Sequence, residues 1–341
     1  MDEVRQARFA MGKTKFARPF SPQTGLGPLF NDNSCLACHG DGASGGHSER
    51  TVLLAGAMLN GGPSLLEHVG GPMIQDKVLT GFAPERVPAE ATALTRRISP
   101  PVWGLGLIEA IPKEAILAQM RPDETKRALG IRGLANWEKG ELGRFGWKAQ
   151  KSSVVTFTEQ AFSWELGIST PGRLEEPVPN APPRQVAKPD ISRAEFEDVV
   201  AYQRYLGAPP RGEVSWKAQR GETLFSGVGC VHCHVPSHTT GPNAWGIPTG
   251  LTVELYSDLL LHQMDEALAD HMVQGAATGQ MFRTPPLWGL RLRKRFLHDG
   301  RTTDLAEAVA LHGGEAAQVV ANWRRLSDDE KRSLETFLRT L

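Results

Sequence analysis

The chain has 341 residues, of which 40% are apolar and 22% charged, and its formal net charge is zero. This length allows two domains with separate cores, and the composition is that of an ordinary globular protein. The balanced charge gives no indication of binding to nucleic acid or to an anionic membrane surface. No apolar run is long enough to predict a transmembrane segment.

Two Cys-x-x-Cys-His pentads, residues 35–39 and 230–234, use all four cysteines of the chain. This pattern is the attachment signature of c-type haem, in which two thiols bond to the haem vinyl groups and the adjacent histidine is the proximal iron ligand. A disulfide or half a zinc site is the alternative, but two complete pentads with no spare cysteine favour haem. The sequence therefore predicts two covalently bound haem c groups, with iron as the metal. The residues that hold them are Cys35, Cys38, His39, Cys230, Cys233 and His234.

An apolar Leu-Phe pair ends a short segment before each pentad, at residues 29–30 and 224–225. A helix is predicted over residues 216–225 in the second copy. Pro22 and Pro28 interrupt the first copy, so any helix there is expected to be shorter.

Two further features recur after the pentads. A Pro-Pro-x-Trp-Gly-Leu run stands at residues 100–105 and again at 285–290. Each half then ends in an amphipathic helix, one over Ser192–Leu206 and one from Ser327, which is a good N-cap with Glu330 three residues on. Cytochrome c domains commonly end in such a helix, which lies across the one that precedes the haem.

This internal repeat predicts two cytochrome c-type domains in tandem, each with one haem, in a mostly α fold with little strand. Residues 207–212 form a linker by composition, which places the domains at 1–209 and 210–341. The first domain is longer by a segment at about 121–190. Its many prolines lead us to expect an irregular wrap over the surface.

The longer motifs resemble the bacterial di-haem oxidoreductase family, whose members are labelled putative peroxidases or "thiol oxidoreductases". The family is similar in turn to di-haem cytochrome c peroxidases and to the methylamine dehydrogenase maturation enzyme. The resemblance implies two cytochrome c domains with their haems in electronic contact. The motifs that carry it are residues 98–112, 143–149, 283–291, 297–301 and 312–316.

The resemblance also suggests a distal ligand for the second haem. Residues 282–312 are similar to the peroxidase segment that ends in a methionine ligand, and His312 stands at the methionine position. A haem held by His234 and His312 would be bis-histidine, low-spin, and lower in potential than a His/Met haem. The alternative is that His312 only caps a helix, with Met281, Met272 or His298 as the ligand.

For the first haem, aligning residues 111–120 with 303–312 puts Met120 opposite His312. A thioether is an accepted haem ligand, although core packing is an equally good account of Met120. His47, in a glycine-rich run, and His68 are alternative ligands. If none of them binds, the first haem is open and reactive.

Peroxide chemistry at an open iron needs an acid/base group, and Glu109 and Glu114 are the best-placed candidates in the sequence. Trp103 and Trp288 occupy equivalent places in the repeat, and we expect them to pack on the haems. Asp41 could bind calcium, as in related peroxidases, although no calcium loop is present.

The sequence thus favours a di-haem redox enzyme of peroxidase type, in which the C-terminal haem accepts electrons and the N-terminal haem uses them. One alternative is a di-haem electron carrier with both irons six-coordinate. The other is a maturation enzyme that oxidises a partner protein. The expected partner is a small redox protein that donates or accepts electrons.

The start of the chain shows no apolar signal-peptide region. Because haem c is normally attached after export, we interpret the chain as a mature periplasmic protein whose leader was removed.

Overall fold

The computed structural model describes residues 1–341, and 35% of them are helical. The α-helices are α1 (Glu3–Ala17), α2 (Cys35–Cys38), α3 (Leu105–Glu109), α4 (Lys113–Ala118), α5 (Glu124–Leu129), α6 (Val154–Leu166), α7 (Arg193–Tyr205), α8 (Trp216–Val228), α9 (Leu305–Ala310), α10 (Ala317–Arg324) and α11 (Asp328–Leu338). The strands are β1 (Leu29–Phe30), β2 (Thr51–Leu59), β3 (Gly62–Ser64), β4 (Met73–Ile74), β5 (Lys77–Val78), β6 (Ala93–Ile98), β7 (Trp137–Glu138), β8 (Glu141–Leu142), β9 (Glu175–Val178), β10 (Ala181–Gln185), β11 (His238–Thr239), β12 (Thr252–Val253), β13 (Leu261–Gln263) and β14 (Met281–Arg283). None of the helices combines the length and the apolar character that a membrane crossing requires.

The fold is less helical than the mostly α fold predicted from the sequence. With 36 glycines and 24 prolines, the chain is rich in residues that interrupt helices. Much of it runs as turns joined by antiparallel strand pairs of two or three residues, such as β11 with β12.

The chain forms two compact units. The first unit comprises residues 1–106, 153–206 and 270–274, and the second comprises 107–152, 207–269 and 275–341. The sequence predicts an N-terminal domain of residues 1–209, but in the structure residues 107–152 group with the second unit. The reason is local bonding, since Lys148 Nζ donates to the carbonyl of Thr278 at 2.9 Å and Leu134 forms a β-bridge with Leu261.

In the first unit, α1 crosses α7 beside an antiparallel sheet that is centred on β2. Strand β2 pairs with β6 on one side and with β3 and β4 on the other. A capping box formed by Ser192 and Glu195 begins α7. The two helices approach closely at Gly12, where a Cβ atom would lie 1.9 Å from the backbone oxygen of Asp198.

In the second unit, α8 crosses α11 in the same manner. The capping box of Ser327 and Glu330 begins α11, as the sequence predicted. The closest approach is at Gly221, where a Cβ atom would lie 2.0 Å from the backbone oxygen of Ser333. Because Gly12 and Gly221 play the same part, the structure confirms that the chain folds as a repeat with a closing helix in each half.

The repeat differs from the predicted one before the first pentad. The counterpart of α8 is α1, which lies further upstream and is the longer of the two. Leu29 and Phe30 form β1 and do not correspond to the Leu-Phe pair of α8. The ring that matches Phe225 is Phe16: Phe225 lies 6.2 Å from the His234 ring and Phe16 lies 6.1 Å from the His39 ring. Prolines 22 and 28 therefore mark an inserted loop, not a shortened helix.

The prediction of an irregular segment at 121–190 is wrong for its middle part. Helix α6 occupies Val154–Leu166, is capped by Ser153, and buries one face in the first unit. The proline-rich end forms the hairpin of β9 and β10.

Candidate haem-binding sites

The two pentad histidines are held in the same way. His39 Nδ1 lies 3.1 Å from the carbonyl oxygen of Gly46, and His234 Nδ1 lies 2.9 Å from that of Tyr256. A proton on Nδ1 donated to a carbonyl leaves Nε2 with its lone pair for a metal. Burial lowers the pKa of both imidazoles to about 4, so both are neutral at neutral pH. Both are therefore in the form that binds iron.

The recurring Pro-Pro-x-Trp runs support these carbonyls. The amide of Val102 donates to the carbonyl of Gly45 at 2.8 Å, and the amide of Leu287 donates to that of Leu255 at 2.9 Å. Each acceptor directly precedes the residue that bonds the pentad histidine. The run at 100–105 and the run at 285–290 therefore have one equivalent role, which is to hold the loop that orients the pentad histidine.

The two predicted haem-packing tryptophans are both buried. Trp103 Nε1 donates to the carbonyl of Ser44 at 3.2 Å, which places the indole against the loop that holds His39. Trp288 is not among the residues that line the cavity of the second unit. Contact of either ring with a haem stays a prediction.

The second pentad opens on a large apolar cavity within the second unit. Its volume is about 1390 Å³ with its open mouth included. Cys230, Cys233 and His234 lie in its wall, and none of the cysteines of the chain forms a disulfide. Its apolar lining includes Phe225, Leu287, Leu290, Phe296, Leu305, Val319 and Trp323.

His312 lines the same cavity as His234, just after α9. Its Nδ1 lies 2.7 Å from the carbonyl oxygen of Ala308, which again leaves Nε2 for a metal. Burial lowers the pKa of this imidazole as well, so it is neutral. The structure thus brings together two neutral imidazoles in one apolar cavity.

Two of the three rival ligands lie outside this cavity. His298 does line it, with its ring stacked on Phe282 at a centroid distance of 4.2 Å, so it stays a rival of His312. Met281 packs against the small cluster of Ala149 and Leu261. Met272 belongs to the first unit, where it packs against β2.

Two arginines in its wall, the buried Arg283 and the partly buried Arg293, make the cavity suitable for a haem in particular. Arg283 and Arg293 line it, and burial lowers the pKa of both to about 10, so both are charged at neutral pH. Arg283 donates to the carbonyls of Gly146 and Thr284. Arg293 Nε is buried with no hydrogen-bond partner. A buried guanidinium needs an anion, and a haem carries two propionates that guanidinium groups bind well. The donor set therefore fits a haem.

The first pentad begins with the single turn α2, which is capped by Ser34. His47, a candidate distal ligand, directly follows Gly46, so it lies on the loop that holds His39 from the proximal side. Asp41 forms a β-bridge with His47 on the same loop. His68 is exposed and lies 3.8 Å from Glu90. No group of three or more His, Cys, Asp or Glu side chains is arranged to hold a metal ion, so calcium binding by Asp41 has no support here.

Glu109, Glu114 and Met120 belong to the second unit, whereas Cys35–His39 belong to the first. Both carboxylates are close enough to the buried Arg144 to raise its pKa, although burial lowers it overall. Arg144 itself donates to the carbonyl of Ile108 in α3 and to that of Ile111, which follows α3. Roles for these three residues at the first haem stay predictions.

Comparison with known proteins assigns the family. The family model described as "Di-haem oxidoreductase, putative peroxidase" matches residues 84–341. The chain belongs to this family. Membership implies two haems and a cytochrome c-type architecture, as the sequence motifs predicted.

Solved structures give weaker likenesses. A MauG-like protein associated with microbial copper homeostasis is 16% identical, with 100% of this chain and 89% of that chain covered and a TM-score of 0.48. A variant of the diheme peroxidase BthA of Burkholderia thailandensis is 14% identical, with 98% and 85% covered and a TM-score of 0.48. Hydrazine synthase of Kuenenia stuttgartiensis is 13% identical, with 98% and 87% covered and a TM-score of 0.46. Among curated proteins, none matches the chain in sequence. The assignment therefore rests on the family model.

In this di-haem oxidoreductase, one carboxyl group near the first pentad was missed by the sequence analysis. Glu165, on α6, accepts a hydrogen bond from Asn31 Nδ2 at 2.7 Å, and burial raises its pKa to about 7. Its charge also raises the pKa of the Cys38 thiol, to which burial contributes more. The helical pattern after Ser153 was the signal that could have located α6, but no local motif marks Glu165.

Proposed function

We propose that this chain is a di-haem c oxidoreductase of peroxidase type, in which electrons enter at the C-terminal haem and are used at the N-terminal haem. In this proposal Cys35 and Cys38 attach the first haem and Cys230 and Cys233 the second. His39 and His234 are the proximal ligands, and His312 is the distal ligand of the second iron.

One observation carries the proposal, which is the difference between the two pentads. The cavity of the second unit presents two neutral imidazoles, His234 and His312, each with Nδ1 bonded to a carbonyl. In the first unit the other histidines are His47, on the proximal loop, and the exposed His68 and His271. An iron with two imidazole ligands has no open position and is suited to electron transfer, whereas an iron with one is open to peroxide.

In this proposal the haems and the protein side chains have different roles. A bound haem supplies electron exchange, and at an open axial position it supplies peroxide cleavage. The protein fixes the imidazoles, excludes water from the second iron with an apolar wall, and neutralises propionates with Arg283 and Arg293. The reduction of a peroxide to water consumes two electrons and two protons, so a group near the first haem must also move a proton.

Three carboxyl groups are candidates for that proton transfer. Glu109 and Glu114 follow from the sequence. Glu165 follows from the structure, and its pKa of about 7 suits a group that both accepts and donates a proton near neutral pH. If Met120 instead closes the first iron, the protein is an electron carrier.

The proposed setting is the periplasm, with a small redox protein as electron donor. This rests on the proposed c-type attachment of the haems, because such attachment normally takes place after export.

The decisive experiment is an EPR spectrum of the ferric protein as isolated, with covalent haem counted by pyridine haemochrome. We expect one low-spin signal from the bis-histidine haem and one high-spin signal from the open haem. His312→Ala should convert the low-spin signal to high-spin. Two low-spin signals in the ferric protein, with no high-spin signal after half-reduction, would favour the electron carrier. A spectrum unchanged by His312→Ala would remove His312 as a ligand.

A further inference from the structure

A continuous chain of charged side chains lies beside the second unit's cavity, and its central residue, His262, lines the cavity wall. His262 Nε2 lies 2.8 Å from Asp258 Oδ2, and His262 Nδ1 lies 2.8 Å from Glu315 Oε2. Asp258 and His262 are buried, and Glu315 is nearly so. We call these three residues the carboxylate clamp. None of them has a part in the function proposed above.

The geometry fixes the charge state of the clamp. Both imidazole nitrogens face carboxylate oxygens, which only accept hydrogen bonds, so both nitrogens carry protons. Burial alone would lower the pKa of His262, but the negative charge of Asp258 raises it well above the usual value. Burial alone would raise the pKa of Glu315, but hydrogen bonds from His262 and from backbone amides bring it down to about 2. The clamp is therefore an imidazolium held between two carboxylates.

The Asp258 end of the clamp is tied to the proximal side of the cavity. The amide of Asp258 donates to the carbonyl of Cys233 at 2.9 Å. Two residues earlier, the carbonyl of Tyr256 accepts the hydrogen bond from His234. The position of Asp258 is thus linked over a few bonds to that of the proximal ligand.

The Glu315 end is tied to the distal side. Glu315 stands three residues after His312 and accepts hydrogen bonds from the amides of Arg132 at 2.9 Å, Gly133 at 3.2 Å and Gln263 at 3.1 Å. Only Gly313 and Gly314 lie between His312 and Glu315, and Gly314 already belongs to the turn that carries Glu315. Because this connection is short, the anchoring of Glu315 limits where the loop can hold His312.

We propose that the carboxylate clamp is a positioning device that holds the distal His312 in place opposite the proximal His234 and so sets the coordination state of the second haem. This inference rests on the proposed ligation by His312. Residues that orient a metal ligand typically change metal affinity or activity by about 10–100-fold when they are mutated. The clamp spans both ligands, so its loss weakens the bond to His312 without removing the imidazole.

The test uses the complete protein with both haems bound. We expect Glu315→Gln and His262→Gln to shift the ferric spectrum of the second haem towards that of His312→Ala. Added imidazole should bind the second haem of these variants about 10–100-fold more tightly than it binds that of the parent, because it competes with a weakened ligand. Glu315→Gln keeps the shape of the side chain, so it remains informative where His262→Gln does not fold.

A matched control separates positioning from general destabilisation. Asp270 forms a buried ion pair with Arg97 at 2.7 Å within the first unit. Asp270→Asn also breaks a buried pair and lowers stability, but it should leave the ligation of the second haem unchanged. If Asp270→Asn shifts the ferric spectrum of the second haem as much as Glu315→Gln does, any loss of stability weakens the bond to His312. The proposed positioning role of the clamp would then be wrong.

The remaining outcomes distinguish a failure of the clamp's positioning role from a failure of the proposed ligation by His312. If His312→Ala changes the spectrum while Glu315→Gln and His262→Gln keep the parent's spectrum and imidazole affinity, the positioning role of the clamp is wrong. In that case the proposed ligation by His312 stands. If His312→Ala changes nothing, the ligation fails and the clamp fails with it.

Discussion

The two pentad regions of the chain agree on the proximal side and differ on the distal side. In both, the histidine bonds a carbonyl of a loop that is held by a Pro-Pro-x-Trp run, and a phenylalanine of a crossed helix lies about 6 Å from its ring. The second region adds a second imidazole in the cavity wall, that of His312, and two arginines that line the same cavity. The shared part is what a haem of either kind needs, so the part that differs is where function is decided.

The largest expected effect comes from removing one pentad at a time. Cys35→Ser/Cys38→Ser should lower the covalent haem content from two per chain to one and leave only the bis-histidine low-spin spectrum. Cys230→Ser/Cys233→Ser should leave only the first haem, with a high-spin spectrum. The measurement is haem content by pyridine haemochrome together with EPR of each variant. Identical spectra from the two variants would show that the two haems do not differ in their distal ligands.

The variant that keeps only the first haem also tests Met120. A His/Met haem shows a red absorption band in the ferric state, and Met120→Leu should abolish it while leaving the side-chain volume nearly unchanged. Absence of the band before mutation would dispose of Met120 as a ligand and leave the first iron open. Met281→Leu, in the second unit's small apolar cluster, is the control substitution.

The next effect is on peroxide turnover at the first haem. Glu165→Gln should lower kcat/KM for hydrogen peroxide by about 10²–10⁴-fold if Glu165 moves the proton. Glu109→Gln and Glu114→Gln are the matched variants. If kcat/KM falls only in Glu109→Gln or only in Glu114→Gln, that residue, and not Glu165, transfers the proton.

The pH profile sharpens this assignment. A carboxyl group must be ionised to accept a proton from peroxide, and the pKa of Glu165 is about 7. Below that pH the group is protonated, so kcat/KM should rise with pH through about 7 and level off above it. Glu165→Gln should remove this limb of the profile, whereas a structural role for Glu165 would lower the rate equally at every pH.

The sequence predicted those features that depend on residues close together in the chain. The pentads, the capping box of Ser327 and Glu330, and the candidate ligand His312 all lie in short motifs whose residues act together in the structure. It could not predict Glu165, whose partner Asn31 is 134 residues away in the chain. It also could not predict α1 as the counterpart of α8, because the inserted loop after α1 hid the correspondence of Phe16 with Phe225.

The carboxylate clamp shows the same limit. The histidine at its centre, His262, has no motif of its own, and its partner Glu315 lies 53 residues away. Only the packing of the chain brings an acceptor to each imidazole nitrogen. Charged networks of this kind depend on tertiary structure, which single-sequence patterns do not encode.

The smallest expected effect concerns the helices that close the two units. Ser192→Ala and Ser327→Ala each remove a side-chain oxygen that caps the first turn of α7 or α11, and each should lower the free energy of unfolding by about 1 kcal/mol. Because the helices are equivalent, the two losses should be similar when they are measured by denaturant unfolding of the holoprotein. Helix α11 crosses α8, which directly precedes the second pentad and supplies Phe225 to the haem cavity. Because the proposed attachment of the second haem is covalent, the loss in Ser327→Ala should appear there as a lower denaturant midpoint for the disappearance of its low-spin spectrum, whereas Ser192→Ala should leave that midpoint as in the parent. Equal shifts of this midpoint in both variants would mean that α11 has no particular effect on the second haem.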